Sequence, residues 1–355
     1  MRLKAVYVLP LIVFSLLLAI WSGWIRIGWN FPVSKSVGQH GALMVGSFLT
    51  TVILLERAVT FKNQLVLLLP LINGLSAIFF VSGNTIIAQY LLLAGSFGFC
   101  VMVLSFIYRY KEQYYYLFFA GAFCLLIGNW LLIKNQFYPQ SVPWWMGYLL
   151  LTIVAERLEL SRFLQVSKLQ NNMLLGSLLI AFAGLLIPFH YKGDVIFAAG
   201  IALTALWLFK YDMAVKSVKR AGQHRYSGIL LITGYVWLIV TAIFLLTANG
   251  NTFWYDATLH SFFIGFVISM IFSHAPIILP AVLKLPVKPY RPVLYVWFLL
   301  MQASLLTRII ADTLILPELR KWAGMINGIV LLIFFISIAV LVKTEMNKRR
   351  RLVKA

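Results

Sequence analysis

Charged residues are scarce in this sequence of 355 residues: only 11% are Asp, Glu, Lys or Arg. Hydrophobic residues make up 62%. A water-soluble domain usually carries about 25% charged residues, so the composition excludes that class of protein. In place of charge the chain has apolar runs almost from end to end, and about 20 such residues suffice to cross a bilayer core. We therefore expect an integral membrane protein.

Cysteine is also scarce, with Cys100 and Cys124 as the only two, each inside an apolar run. This number excludes a disulfide framework and predicts two buried apolar thiols. The sequence also lacks a phosphate-binding loop, a zinc motif and a nucleophile elbow. We predict no catalytic residue.

The apolar runs are continuous, whereas the strands of a membrane barrel alternate over about ten residues. The fold class expected is all-α, a single polytopic membrane domain over 1–355. The N-terminal segment has a basic start followed by an apolar run, as a signal sequence does, but it lacks a convincing cleavage site. This favours a first helix that is retained in the protein. Twelve transmembrane helices are predicted, over residues 5–25, 40–58, 64–82, 85–108, 114–134, 144–164, 172–190, 195–213, 227–248, 257–280, 290–311 and 322–343.

The net charge of +20 is distributed by side of the membrane. With a cytoplasmic N-terminus, 23 of the 30 Lys and Arg fall on the cytoplasmic side, as the positive-inside rule requires. Both termini are then cytoplasmic, in a multi-pass protein of the cell inner membrane. The basic residues are expected to contact anionic membrane lipids, and no nucleic-acid partner is predicted.

A weak repeat links three of the predicted helices. Helix 2 ends in Glu56-Arg57 and helix 6 in Glu156-Arg157, four helices further on. Helix 10, another four helices on, ends in His274-Ala275-Pro276 instead. This spacing favours three four-helix units around a pseudo-threefold axis. Each Glu-Arg pair is alternatively a simple interfacial anchor.

Two histidines stand at matching places in this repeat. His40 begins helix 2 and His260 begins helix 10, both at the outer end and with small residues nearby. Imidazole is a standard axial ligand of haem iron and also suits copper. Each histidine alone favours a hydrogen-bonded helix end. The pair, however, predicts a bis-histidine haem or metal site near the outer face.

Other candidates are weaker. His274 lies roughly 21 Å from His260 along the same helix and is a candidate second metal ligand or proton relay, or a histidine that satisfies carbonyls freed by Pro276. Arg308 stands one turn from Asp312 and can pair with it, or bind a haem propionate. His190 and His224 are expected at the surface.

Some stretches resemble a known family. ITGYVWLIVTAIFLLTANG, LHSFFIGFVISMIF and LYVWFLLMQASLLTRIIAD resemble the C-terminal third of NnrS-type membrane proteins, and GQHGALMVGSF resembles their early histidine motif. That resemblance implies twelve helices, haem and copper, and the response to nitric oxide. His40 and His260 match the family's early and late histidines. The departures are the single early histidine and SHAPIILPAVLKLP where the family has an arginine and a Gly-His-Thr-Gly turn.

The threefold pattern is also similar to subunit I of haem-copper oxidases, whose electron-transfer haem is held by histidines of helices 2 and 10. His40 and His260 fit those roles. Helices 6 and 7 here lack the paired histidines and the His-x-x-x-Tyr of the copper centre. An oxygen- or nitric-oxide-reducing enzyme is therefore not predicted.

The leading hypothesis is a haem-binding, or haem- and copper-binding, membrane protein in nitric-oxide response, redox sensing or electron transfer. A cofactor-free transporter is the main alternative, with Glu56, Glu156 and His274 as proton carriers. A third is an assembly partner of a respiratory complex. Nitric-oxide-response or respiratory proteins are the expected protein partners, and the oligomeric state is left open.

Overall fold

The computed structural model describes residues 4–161, 166–248 and 250–354, with side chains up to residue 351. Over these residues the chain is helical and contains no β-strand. Hydrocarbon offers no water to backbone N–H and C=O groups, so a helix, which satisfies them internally, is the form that apolar runs adopt there. The all-α prediction is confirmed.

Ten of the long helices are regular. Two further long helices, α2 and α10, are each built from several segments of different helix type, and we call them composite. All twelve are numbered together in chain order. The bounds of the ten regular helices are α1 Leu9–Arg26, α3 Leu68–Ser82, α4 Thr85–Tyr110, α5 Gln113–Asn135, α6 Tyr138–Leu160, α7 Lys168–Leu186, α8 Gly193–Tyr211, α9 Gln223–Thr247, α11 Val293–Thr313 and α12 Pro317–Lys354.

The composite helices change their hydrogen-bonding pattern along their length. In α2 a 3-10 turn (Val37–Gln39) precedes a π-helix (Ala42–Thr50) and an α-helix (Thr51–Ala58). In α10 an α-helix (Thr252–His260) leads into a π-helix (Ser261–Ile268) and a second α-helix (Ser269–Val282). Long π segments are rare and tend to occur at functional sites.

Within the described residues, ten helices are long and apolar enough to cross a membrane. The chain is thus compatible with a multi-pass membrane protein, as predicted. The two remaining predicted spans correspond to α2, which changes helix type, and to α6, whose first half (YPQSVPWWMGY) is rich in polar and aromatic residues.

Most predicted boundaries lie within a few residues of the observed ones. The largest difference is α12, which is predicted over 322–343 but spans 38 residues. Its basic end continues as helix because Glu345 pairs with Arg291 and because Arg349 donates to the carbonyl of Pro286. Residues 162–164 of the sixth predicted helix lie outside the described residues.

The backbone divides into two compact units, Met1–Glu156 and Arg157–Ala355. In unit 1, α3 packs against α4, α4 against α5, and α1 against α2 and α3. Its largest buried side chains include Phe80, Phe99, Phe118, Trp145 and Tyr148. Cys100 and Cys124 also belong to this core as free, buried thiols, which confirms their prediction.

In unit 2, α7 packs against α8, α8 against α9, α9 against α10, and α11 against α12. The rings of Phe272 in α10 and Phe334 in α12 stack with centroids 3.6 Å apart. A single membrane domain over 1–355 stays a prediction, which this division by packing does not test.

Candidate functional site

His40 is held in unit 1 by a carbonyl of the neighbouring helix. Its Nδ1 lies 2.7 Å from the carbonyl oxygen of Ala19 in α1. A carbonyl only accepts, so Nδ1 carries the proton and the lone pair of the neutral ring is on Nε2. Gly23, one turn along α1, makes room for the ring, since a Cβ there would be 2.8 Å from Cε1 of His40.

His260 has the same arrangement in unit 2. Its Nδ1 lies 2.9 Å from the carbonyl oxygen of Asp256, one turn earlier in α10, and 3.3 Å from the carboxylate of the same residue. In the neutral ring, the proton would again be on Nδ1 and the lone pair on Nε2. Histidines that bind metals commonly donate their other N–H to a carbonyl or carboxylate in this way.

Both histidines directly precede a π-helix. His40 is followed by Gly41 and then by the π-helix of α2, and His260 is followed at once by that of α10. The sequence predicted that helices 2 and 10 begin alike, and the two helices share this local geometry as well. Sequence reasoning did not detect the π segments, because no residue type marks them.

Asp256 anchors a group of charged side chains around His260. Its carboxylate accepts from Nε and Nη2 of Arg308 at 3.2 and 2.9 Å, and Nη2 of Arg320 lies 3.2 Å away. Asp312, which is 0% exposed, is 2.9 Å from Nε of Arg320. We call these five residues the His260 cluster.

Arg308 pairs with Asp256 and not with Asp312, which was one of the two partners that the sequence allowed for it. Arg308 binds Asp256 across the gap between α11 and α10, while Asp312 pairs with Arg320 of α12. Spacing by one turn brings two side chains near each other, but here carboxylates and guanidinium groups of neighbouring helices give shorter contacts. The structure thus makes Arg308 a carboxylate-binding residue, with Asp256 as its partner.

His274 lies in a different environment at the other end of α10. Nδ1 is 2.9 Å from the carbonyl oxygen of Met270, and Nε2 is 2.9 Å from Nη1 of Arg157. A guanidinium only donates, so Nε2 uses its lone pair to accept. Both ring nitrogens are therefore engaged by the protein, and the metal-ligand role of His274 stays a prediction.

Arg157 is the centre of this second group. Its Nε and Nη2 donate to the two carboxylate oxygens of Asp212, both at 3.1 Å, and the two side chains are 6% and 1% exposed. Asp212 also accepts from the backbone N–H of Ala214 at 2.7 Å. We call Arg157, Asp212 and His274 the His274 cluster. It joins α6, the turn after α8, and α10.

The repeat of Glu-Arg pairs is reflected in these contacts. In unit 1 Arg57 donates to Glu156 at 3.0 Å, and in unit 2 Arg157 donates to His274. Glu56 lies six residues after the π-helix of α2 ends at Thr50, and His274 lies six residues after that of α10 ends at Ile268. Each arginine of the repeat therefore contacts the repeat position of the next helix in the series.

Sequence reasoning did not identify Asp212, Asp256 or Arg320 as site residues. One signal was available, since the chain has only ten acidic residues and an acid beside an apolar run is seldom without a partner.

His190 and His224 are exposed, as predicted. Among the described residues, no group of three or more His, Cys, Asp and Glu side chains can hold a metal ion.

No curated protein matches the chain. A family model described as "Domain of unknown function (DUF8744)" matches residues 4–343. That description carries no activity, so the resemblance to NnrS-type proteins stays a prediction. Because the match covers nearly the whole sequence, the protein belongs to the DUF8744 family.

Proposed function

We propose that this protein binds haem in the cell inner membrane, with His40 and His260 as the axial ligands of one haem near the outer face. The proposal includes twelve membrane helices in three four-helix units, the architecture implied by the resemblance to NnrS-type proteins and to oxidase subunit I. Copper binding by the same imidazoles is a subordinate part of it.

The observation that carries the proposal is the shared state of the two imidazoles. In each, a backbone carbonyl holds Nδ1, at 2.7 Å in His40 and 2.9 Å in His260. This fixes the tautomer whose Nε2 can bind iron and orients the ring, which is what supporting groups do at known metal sites. The pairing of the two histidines comes from their matched places in the sequence repeat.

Arg308 is the proposed partner of a haem propionate. It already binds a carboxylate, that of Asp256, through two N–H groups, and arginine suits carboxylates because its donors form a fork. Arg320, in the same cluster, provides a second guanidinium.

A haem with two histidine ligands supplies reversible one-electron chemistry. The chain's own residues would bind it, fix its orientation and set the charge around it. This chemistry suits electron transfer, redox sensing or the response to nitric oxide. No residue is proposed as catalytic. Respiratory or nitric-oxide-response proteins are the proposed partners.

The test is the absorption spectrum of protein purified from cells supplied with haem precursor. We expect a Soret band, and its loss in both His40→Ala and His260→Ala. His224→Ala is the matched control, because His224 is an exposed histidine in the first turn of α9, and it should retain the band. A wild-type protein with neither haem nor copper bound would overturn the proposal.

A second candidate function is cofactor-free transport coupled to protons. The observation that favours it is the His274 cluster, in which Arg157 and Asp212 are almost fully buried, since ionisable residues inside membrane bundles commonly mark transport pathways. Solute uptake by proteoliposomes of haem-free protein would support this candidate. Uptake equal in wild type and Asp212→Asn would count against it.

A further inference from the structure

One face of α6 carries a row of six side chains that each bear a polar group. The residues are Tyr138, Ser141, Trp145, Tyr148, Thr152 and Glu156, at intervals of three or four, so they share one side of the helix. All six belong to unit 1. We call this row the α6 seam. Ser141, Trp145, Tyr148 and Thr152 are each 0% exposed, and Tyr138 and Glu156 at the two ends of the seam are half-buried.

Three hydroxyls of the seam are buried without a hydrogen bond to any described residue: those of Ser141, Tyr148 and Thr152. Thr50 of α2 is a neighbouring polar side chain of Tyr148, but no hydrogen bond of ordinary length and angle joins the two hydroxyls. Buried polar groups in proteins are almost always paired with protein or with ordered water. Three such groups on one face of one helix point to a common partner.

Other buried hydroxyls in this protein satisfy themselves. Those of Thr204 and Thr241 donate to carbonyls one turn back in their own helices, both at 2.8 Å, and that of Ser177 does so at 2.8 Å. The hydroxyl of Thr152 makes no such bond and is directed toward α5, where a Cβ on Gly121 would lie 2.8 Å from it. The three seam hydroxyls therefore do not donate to carbonyls of their own helix.

Both ends of the seam terminate in polar contacts. At one end Tyr138 donates to Oε1 of Gln39 at 2.5 Å, next to His40. At the other end Glu156 accepts from Arg57 at 3.0 Å. Between them, Trp145 donates to Asn129 of α5 at 3.1 Å. The seam thus links a titratable carboxylate to the neighbourhood of His40.

We propose that the α6 seam binds a file of water molecules and conducts protons between Glu156 and Tyr138. The oxygen-bearing side chains of the seam are three or four residues apart, about 5 to 6 Å along the helix, except for the seven-residue step of about 10 Å from Ser141 to Tyr148. One water bridges each short gap with a hydrogen bond on each side, and two waters in series bridge the long one past Trp145. Each water and hydroxyl accepts a proton on one side and releases one on the other, so only O–H bonds form and break. Glu156 exchanges its own proton with the first water. The proposal is independent of haem binding.

The first test detects the bound water directly. X-ray radiolysis turns ordered water into hydroxyl radicals that label the residues it touches. We expect labelling of Tyr148 several times faster than that of Tyr226. Tyr226 is the matched control, because it is equally buried but its hydroxyl donates to the carbonyl of Phe272 at 3.2 Å. Equal labelling of the two tyrosines would overturn the proposal.

The second test measures proton flux into liposomes driven by a potassium diffusion potential. Thr152→Val keeps the shape of the side chain and removes the hydroxyl, and we expect it to lower the flux several-fold without lowering the melting temperature. Thr241→Val is the control, since that hydroxyl is bonded within its own helix, and its flux should equal that of wild type. Flux through Thr152→Val equal to wild type, or wild-type flux no faster than in protein-free liposomes, would overturn the proposal.

Discussion

The two ends of α10 hold histidines of the same tautomer in different surroundings. His274 accepts from Arg157 and is held by Met270, so both of its nitrogens are engaged within the His274 cluster. His260 is held at Nδ1 by Asp256, and among the described residues no hydrogen bond is found at its Nε2. His274 therefore uses its lone pair inside the protein, to accept from Arg157, whereas His260 is held in a fixed orientation through Nδ1.

The difference lies in where the positive charge is placed. Arg157 is directed at the ring nitrogen of His274 and at Asp212. Arg308 is directed at the carboxylate of Asp256. That carboxylate also lies next to Nδ1 of His260, so Arg308 is on the Nδ1 side of the imidazole. A guanidinium on the ring nitrogen removes the lone pair from use, whereas one on the neighbouring carboxylate leaves it. Substitutions that disturb each arrangement test this distinction.

The largest expected effect is that of Arg157→Met. It leaves the buried carboxylate of Asp212 without its ion-pair partner, which typically costs about 3–5 kcal/mol. The measurement is thermal unfolding in detergent, followed by tryptophan fluorescence. Arg291→Met is the control, because Arg291 is 49% exposed in its pair with Glu345 and such pairs contribute about 0–1 kcal/mol. Similar melting temperatures for the two variants would contradict the central role of Arg157.

Asp256→Asn should have the next largest effect. It removes the charge that Arg308 and Arg320 share, and hydrogen bonds to charged groups are worth about 1.5–3 kcal/mol. The variant should unfold at a lower denaturant concentration than wild type. Glu318→Gln, an exposed acid at the start of α12, should change the midpoint very little. An unchanged midpoint in Asp256→Asn would show that the His260 cluster does not depend on this carboxylate.

The two histidines themselves should differ in stability and in ligand binding. His274→Ala leaves a buried arginine donor unpaired and should cost about 1–3 kcal/mol. His260→Ala removes one hydrogen bond and should cost about 1 kcal/mol, while abolishing any Soret band. The measurements are the denaturant midpoint and the absorption spectrum of each variant. Loss of haem in His274→Ala, with His260→Ala still loaded, would reverse the assignment.

Gly23→Ala extends the comparison to His40 and should have the smallest effect on stability. The added methyl group would push against the imidazole of His40. We expect the variant to lose about 1 kcal/mol of stability, which is the low end for overpacking, because the ring can shift away. The shift would weaken the contact with Ala19 and lower haem occupancy. Gly176→Ala is the control, since a Cβ there meets nothing within 4 Å. Wild-type occupancy in Gly23→Ala would indicate that the orientation of His40 is not critical.

The helices were predictable because their signal is local. Apolar runs of about 20 residues define most of them, and the Glu-Arg repeat pointed to positions that do form contacts. The partners were less predictable, because Arg157 meets Asp212 and His274 from 55 and 117 residues away. For Arg308 the one local rule available, spacing by a helical turn, gave Asp312 instead of Asp256.

The protonation of the histidines was beyond sequence reasoning for a related reason. Nδ1 of His40 is fixed by Ala19, a residue whose side chain gives no hint of it, since the carbonyl of any residue would serve. The hydrogen-bonding state of the α6 seam hydroxyls was likewise not visible in the sequence. Their spacing can be read from the sequence, but the failure of Thr152 to bond its own helix cannot.

The length of α12 has a mechanical consequence. Its 38 residues span about 57 Å, whereas a bilayer with its headgroups is about 40–45 Å thick. Standing along the bilayer normal, the helix would be a strut that reaches past the lipid, held near its end by the pairing of Glu345 with Arg291 and by the bond from Arg349 to Pro286. A fluorophore placed on this end would be held at a fixed height above the membrane, so energy transfer to a lipid dye should report the tilt of the strut.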